Sequence, residues 1–241
     1  MKKILKMNNE LNKKDYYYDG YNDNDKLLFN FDGFNINENK MDFKKFNSIL
    51  KQLQKDIYSL PTITLFHGTS LELFEQILEN GILPTNNKNR NSYQSTNGFV
   101  YTTPFLYLAQ RFGSYAASWK QQQNFQNDIA NSIVYKLELE IRYLKPDKDQ
   151  INNFNSNNIE MKLNYNLANS IFYGKSLCHE GKIYLNSIKS IILYDIENNK
   201  NVEIEFDLSN IQEMFKKINE LKEKNKIFEF STKKDNNYLS M

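Results

Sequence analysis

The sequence predicts an α+β fold, because segments with strand patterns and segments with helix patterns both recur along its 241 residues. The clearest strand pattern runs from Ile133 to Ile141, where odd positions are apolar and the opposite face becomes charged. Helices are indicated by apolar residues at helical spacing within residues 71–78, 108–119 and 211–221. Shorter β-prone runs predict the remaining strands, at residues 63–66, 98–103, 188–194 and 202–206.

The composition predicts one core with room for a small appendage, since 40% of the residues are hydrophobic and 25% are charged. The 31 basic and 29 acidic residues are mixed along the chain, so no global attraction to nucleic acid is expected. The single cysteine, Cys178, excludes an internal disulfide and fits a reducing compartment. Residues 2–7 begin like a signal peptide, but residues 8–14 are polar. We therefore expect a cytoplasmic protein. No membrane span is predicted, because the sequence contains no run of about 18 apolar residues.

The chain divides into three predicted regions. They are an N-terminal arm, a catalytic-sized domain and a C-terminal tail, at residues 1–61, 62–230 and 231–241. Within the first region, a flexible segment precedes a β-hairpin that turns at Asp32-Gly33 and a bracing helix from Asp42 to Leu60. Two polar stretches without periodicity, residues 85–97 and 146–162, predict loops.

The most informative motif is His67-Gly68-Thr69, where one of only two histidines ends a predicted strand. Glycine has no Cβ, so a ligand or another backbone can approach Gly68 closely. Thr69 is the predicted N-cap of the following helix, with Glu72 as its capping-box partner. From this motif alone, a buried structural histidine and a binding-site histidine are equally good interpretations.

Three chemically useful residues occur in order: His67, then Tyr101 in a short strand before a helix, then Glu180 ahead of an isoleucine-rich strand. Their order and spacing resemble the ADP-ribosyltransferase superfamily, in the His-Tyr-Glu branch typified by diphtheria toxin and the poly-ADP-ribose polymerases. The resemblance covers residues 65–194 and includes the Gly98–Tyr101 motif. It implies two packed antiparallel or mixed sheets around a cleft that binds NAD, with flanking helices.

The resemblance implies a role for each matching residue. His67 would bond an NAD ribose hydroxyl, and the Gly68 backbone, with Thr69 beside it, would hold the nicotinamide carboxamide. Tyr101 would stack on the nicotinamide ring. Glu180 would be the catalytic carboxylate, because a carboxylate at the ribose stabilises the positive charge of the oxocarbenium-like transition state.

The sequence departs from the family pattern at three positions. Phe112 stands where a second stacking tyrosine is common, and it keeps the aromatic face but lacks the hydroxyl. Ala109 replaces a serine that contacts the carboxamide in many members. Cys178 occupies the position, two residues before Glu180, where arginine-modifying relatives carry Gln or Glu. Arginine is therefore disfavoured as acceptor.

The resulting hypothesis is an NAD-dependent mono-ADP-ribosyltransferase, acting as a bacterial or phage effector or toxin in its own or a host cytoplasm. NAD would be the substrate, the acceptor a protein side chain or a nucleic-acid base, and the chain a monomer. Two histidines and one cysteine at these spacings predict no metal site. The alternatives are an inactive module of the same fold that binds a nucleotide or protein, an RNA 2′-phosphotransferase-like enzyme, and a structural domain whose three residues never meet. A thiol protease built on Cys178 and His179 fits less well, since adjacent residues rarely meet as nucleophile and base.

Overall fold

The chain forms an α+β fold with antiparallel sheets, as the sequence predicts. The computed structural model describes residues 30–31, 34–35, 43–86, 96–120, 129–157 and 162–238. A four-stranded sheet has the order β3-β5-β8-β9, with bounds Thr62–Ser70, Ser132–Glu140, Ile188–Asp195 and Lys200–Glu205. A three-stranded sheet has the order β4-β7-β6, with bounds Phe99–Thr102, Leu177–Glu180 and Leu144–Pro146. Each strand pairing in the described residues is antiparallel.

The two larger sheets meet where β3 comes alongside the end of β4. Phe66 and Thr103 exchange both backbone hydrogen bonds, at 2.8 and 2.9 Å. A single hydrophobic cluster includes Leu65 of the four-stranded sheet and Val100 and Leu177 of the three-stranded sheet. The strands that carry His67 and Tyr101 are therefore held side by side.

Six α-helices lie among the described residues and connect or cover the sheets. Their bounds, α1 to α6, are Phe43–Tyr58, Phe74–Asn80, Leu106–Lys120, Lys148–Asn157, Leu167–Asn169 and Ile211–Tyr238. A π-helical turn, Ser170–Gly174, continues α5 towards β7. None of the helices in the described ranges is long and apolar enough to cross a membrane.

Helix α3 packs directly on β3 at Gly68. A Cβ on Gly68 would lie 1.7 Å from the carbonyl oxygen of Ala109, so the two backbones are too close for any side chain there. The close approach that the sequence analysis allowed for Gly68 is thus made by another backbone.

The start of the first helical segment differs from the prediction. Strand β3 continues past His67 to Ser70. Ser70, and not Thr69, is the N-cap, and its hydroxyl accepts a hydrogen bond from the amide of Glu72. The reason is that β5 pairs with β3 along its whole length, so Thr69 stays in the sheet, opposite Ile133.

The predicted loop at residues 146–162 is wrong over most of its length, because α4 lies there. Asp147 caps this helix by accepting the amide hydrogen of Gln150 at 3.1 Å. Ile151 is fully buried and anchors the helix to the body of the protein. A helix with one apolar anchor leaves little periodicity in an asparagine-rich sequence.

The N-terminal region is described in part. Strands β1 (Asn30–Phe31) and β2 (Phe34–Asn35) pair as predicted, while the flexible segment, the hairpin turn and most of the loop at residues 85–97 lie outside the described residues. The bracing helix is α1, whose Gln54 side chain accepts the amide hydrogen of Ala168 at 2.8 Å. Helix α6 continues through Tyr238, past the boundary where a C-terminal tail was placed.

Candidate active site

His67 belongs to β3, and its side chain contacts the backbone of β4, the strand that joins β3 at the sheet junction. Its Nδ1 is 2.9 Å from the carbonyl oxygen of Tyr101. A carbonyl oxygen only accepts, so Nδ1 carries the hydrogen and the neutral ring keeps an acceptor lone pair on Nε2. Burial lowers the pKa of His67 below its usual 6.5, partly offset by this hydrogen bond. The ring is therefore neutral at physiological pH and can accept a hydrogen bond through Nε2.

The backbone amide and carbonyl of Gly68 point to the edge of β3 at which this strand pairs with the end of β4. Groups of alternate residues in a strand point to the same edge, and Phe66 directs both its amide and its carbonyl to Thr103. The amide and carbonyl of Gly68, two residues on, consequently point away from β5. One donor and one acceptor at that spacing match a carboxamide group.

Tyr101 is held by its hydroxyl as well as by its backbone. The hydroxyl donates to Oδ2 of Asp149 and accepts from the amide of Thr96. Burial and the hydrogen bond to Asp149 raise the pKa of Tyr101 well above its usual range, so the phenol stays protonated. The ring is half-buried and has a fixed position between β4 and α4.

Glu180 is the last residue of β7, and the isoleucine-rich strand predicted after it is β8, which begins at Ile188. In register, Tyr101 is opposite Cys178 and Phe99 is opposite Glu180. Tyr101 and Glu180 are thus diagonal neighbours on one face of the sheet, a relation in which Cβ atoms typically lie somewhat less than about 7–8 Å apart. The Glu180 side chain is 61% exposed, and its Oε2 lies 3.4 Å from Nζ of Lys145.

The structure places His67, Tyr101 and Glu180 on three neighbouring strands, β3, β4 and β7, although they come from distant parts of the sequence. Tyr101 and Glu180 share one face of the β4–β7 pair, and His67 contacts the backbone of Tyr101. The roles that the family resemblance implies for them remain predictions.

The other predicted cofactor residues are placed differently. Phe112 projects from α3 and is 49% exposed, so its aromatic face is available to a ligand. Ala109 is fully buried in a small cluster with Phe66, Leu106 and neighbouring strand residues. Thr69 is also buried. Neither Ala109 nor Thr69 offers an exposed side chain for ligand contact.

The residue pair beside Glu180 does not form a second catalytic centre. His179 is buried on the opposite face of β7, where its ring contacts Tyr143. Cys178 is buried, and burial raises the pKa of its thiol above the usual range. A protonated buried thiol is a poor nucleophile. Among the described residues, no group of three His, Cys, Asp or Glu side chains is arranged to hold a metal ion.

Sequence reasoning missed Asp149 and Lys145, which contact the two ends of the site. Asp149 lies in a segment whose sequence predicts a loop, and its partner Tyr101 is 48 residues away. The only local signal was an aspartate pair, Asp147 and Asp149, at the start of a segment, a pattern typical of a helix N-terminus. That pattern predicts the helix and not the contact with Tyr101.

Comparisons with known proteins give little beyond this geometry. No family model matches the sequence, and no curated protein is similar to it. Among solved structures, the chain is similar to EcPltA, with a TM-score of 0.34 and 12% sequence identity. The match covers 59% of this chain and 83% of EcPltA. A likeness this distant carries no assignment of activity.

Proposed function

We propose that this chain is an NAD-dependent mono-ADP-ribosyltransferase that modifies a macromolecular acceptor. The observation that carries the proposal is the placement of Glu180 diagonally across from Tyr101, whose carbonyl in turn holds His67. The sequence resembles the His-Tyr-Glu branch of the superfamily at these same three positions. The proposed setting is an effector or toxin that acts in a cell's cytoplasm.

The donor half of the reaction follows from the groups on β3 and β4. Nε2 of His67 is an acceptor and would take a hydrogen bond from a ribose hydroxyl of NAD. The amide and carbonyl of Gly68 would pair with the carboxamide. Tyr101 offers an aromatic face to the nicotinamide ring, and the exposed ring of Phe112 is available for a second contact.

The chemical step needs a negative charge beside the ribose. When the bond between ribose C1′ and the nicotinamide nitrogen breaks, its electron pair leaves with nicotinamide and positive charge develops on the sugar. The carboxylate of Glu180, bonded to the neighbouring hydroxyl, stabilises that charge more than it stabilises neutral ribose. An acceptor nucleophile then bonds to C1′ and releases its proton to solvent.

Incubation of the purified protein with NAD labelled in its adenylate part, together with a cell lysate, tests the proposal and reports the acceptor class. Nuclease or protease treatment of the labelled product distinguishes a base from a side chain. Glu180→Gln is expected to lower label transfer by at least about 100-fold, because it removes the transition-state charge interaction. Its exposure predicts a change in unfolding free energy within about 0.5 kcal/mol.

Glu213→Gln is the matched control. Glu213 is also an exposed glutamate in an ion pair, with Lys217 at 3.8 Å, and it stands on α6. Transfer by this variant should equal that of the unmodified protein. Equal transfer by Glu180→Gln would refute the assignment.

A non-catalytic module of the same fold is the second candidate. Its support is Ala109, which replaces the carboxamide-binding serine of many family members and is buried. Calorimetry with NAD, followed by assay of free nicotinamide, distinguishes the two functions. Tight binding without nicotinamide release favours the module, and release favours the transferase.

A further inference from the structure

Asp149 is the residue that ties Tyr101 to a second element of the protein. Its Oδ2 accepts the hydroxyl hydrogen of Tyr101 and, at 2.9 Å, the amide hydrogen of Thr96. Its Oδ1 accepts the Thr96 hydroxyl at 2.8 Å. Both carboxylate oxygens are thus occupied by donors from the segment that leads into β4 and from β4 itself. The charge of one carboxylate strengthens all three bonds.

The helix that carries Asp149 is itself fixed to the strand of Glu180. Asp147, buried just before α4, accepts the Ser176 hydroxyl at 2.6 Å through Oδ2. Ser176 immediately precedes β7. The amide of Asp147 donates to the Ser170 hydroxyl at 2.7 Å, and that hydroxyl donates to the carbonyl of Ser176 at 2.6 Å. Asp149 therefore projects from a helix start that does not move independently of β7.

We infer that Asp149 is a positioning residue that holds the Tyr101 ring at the angle needed to stack on nicotinamide. The inference rests on the proposed function, since it assigns Asp149 a part in binding the NAD donor. A tyrosine ring turns about two side-chain bonds, and its hydroxyl is the point farthest from the backbone. Fixing that point fixes both rotations, which is how supporting residues hold a binding group in place.

In this role Asp149 affects the binding of the NAD donor and not the cleavage of its glycosidic bond. Asp149 contacts Tyr101 and Thr96, whereas Glu180 has its own ion pair with Lys145. Loss of Asp149 should therefore weaken the affinity for NAD and leave the rate at saturating NAD nearly unchanged. If Asp149 only supported the fold, its loss would lower the NAD affinity and the rate at saturating NAD together, in proportion to the fraction of protein that remains folded.

A double-mutant cycle tests whether Asp149 acts through the Tyr101 hydroxyl. Tyr101→Phe keeps the aromatic face but removes the O–H that Asp149 accepts. The dissociation constant for NAD by calorimetry, and the rate of nicotinamide release at saturation, are measured for Asp149→Ala, Tyr101→Phe and the double variant. Each single change is expected to raise the dissociation constant about threefold to tenfold, the size of one hydrogen bond. The double variant should bind no more weakly than the weaker single variant.

Two controls separate this role from general effects. Glu213→Ala removes an acidic residue from the first turn of α6, as Asp149→Ala does for α4, and should leave NAD affinity unchanged. Asp149→Asn keeps one acceptor oxygen and should bind NAD with an affinity between those of the unmodified protein and Asp149→Ala.

The outcomes distinguish the inference from the function on which it rests. The role of Asp149 would be overturned if the two fold-increases in the NAD dissociation constant multiply in the double variant, or if the nicotinamide release rate falls as much as the affinity. Neither result would contradict the proposed transferase function. Failure of the unmodified protein to bind NAD would refute the proposed function and the inference with it. Coupled losses of affinity with a preserved rate support both.

Discussion

The two halves of the candidate site differ in how firmly the protein holds them. His67 is partly buried and bonded to the Tyr101 carbonyl, and the Tyr101 hydroxyl is bonded to Asp149 and Thr96. Glu180 stands at the open end of β7, is 61% exposed and has one ion pair with an exposed lysine. The donor half is therefore built into the fold, while the carboxylate half faces water.

This difference indicates where catalytic strength would arise. A carboxylate in water is solvated, and its interaction with a nearby positive charge is weak at high dielectric. An NAD molecule seated against His67 and Tyr101 would cover the diagonal position of Glu180 and exclude part of that water. In the proposed reaction, the rigid half would supply the binding, and the exposed half would become effective once the donor is bound.

The largest effect is expected at the rigid half, from Gly68→Ala. The added Cβ would stand 1.7 Å from the carbonyl oxygen of Ala109 and 3.0 Å from the amide nitrogen of Gly113. Because both contacts are helix backbone, α3 as a whole must shift. We expect a loss of about 3 kcal/mol or more in unfolding free energy, measured by urea denaturation, and a parallel loss of NAD binding.

Gly98→Ala is the control for Gly68→Ala. A Cβ on Gly98 meets no atom within 4 Å, but the residue has a φ of +91°. Only backbone strain opposes this change, so we expect a cost of about 1–2 kcal/mol. Equal costs at the two glycines would show that α3 adapts easily and that this half is less rigid than the contacts indicate.

The rigid half was also the better predicted from sequence. Periodicity and β-propensity located β4, β5 and α3, because those patterns are local consequences of a buried face. The strand order that puts Tyr101 beside Glu180 was not predicted, because the pairing of strands far apart in sequence leaves no local pattern. The contact between Tyr101 and Asp149 could not be predicted, because a hydrogen bond across 48 residues leaves no periodic trace.

The pH dependence of the unfolding free energy also tests the rigid half, through His67. Burial lowers the pKa of His67 below 6.5, so below that pH the unfolded chain binds a proton that the folded ring does not. Unfolding free energy should therefore fall as pH drops below 6.5 and level off below the folded pKa. The slope is at most about 1.4 kcal/mol per pH unit for each histidine.

His67→Asn isolates this contribution, because its side-chain amide nitrogen stands where Nδ1 donates to the Tyr101 carbonyl, while it carries no titrating group. Denaturation of both proteins between pH 7 and pH 5 should show a shallower fall for the variant. Burial also lowers the pKa of His179, which supplies the rest of the fall in unfolding free energy. An identical fall in both proteins would mean that His67 takes up its proton in the folded state as readily as in water.

The smallest effect is expected at the exposed half, from Lys145→Ala. Lys145 and Glu180 are 46% and 61% exposed, and their 3.4 Å ion pair lies in solvent. Such pairs contribute about 0.2–1 kcal/mol and are screened by salt. We expect a change in unfolding free energy at the low end of that range in low salt, absent at high salt. Thermal denaturation at two salt concentrations measures it. A loss comparable to that of Gly68→Ala, and insensitive to salt, would show that the end of β7 is held as firmly as the His67 side, and the contrast between the two halves would not stand.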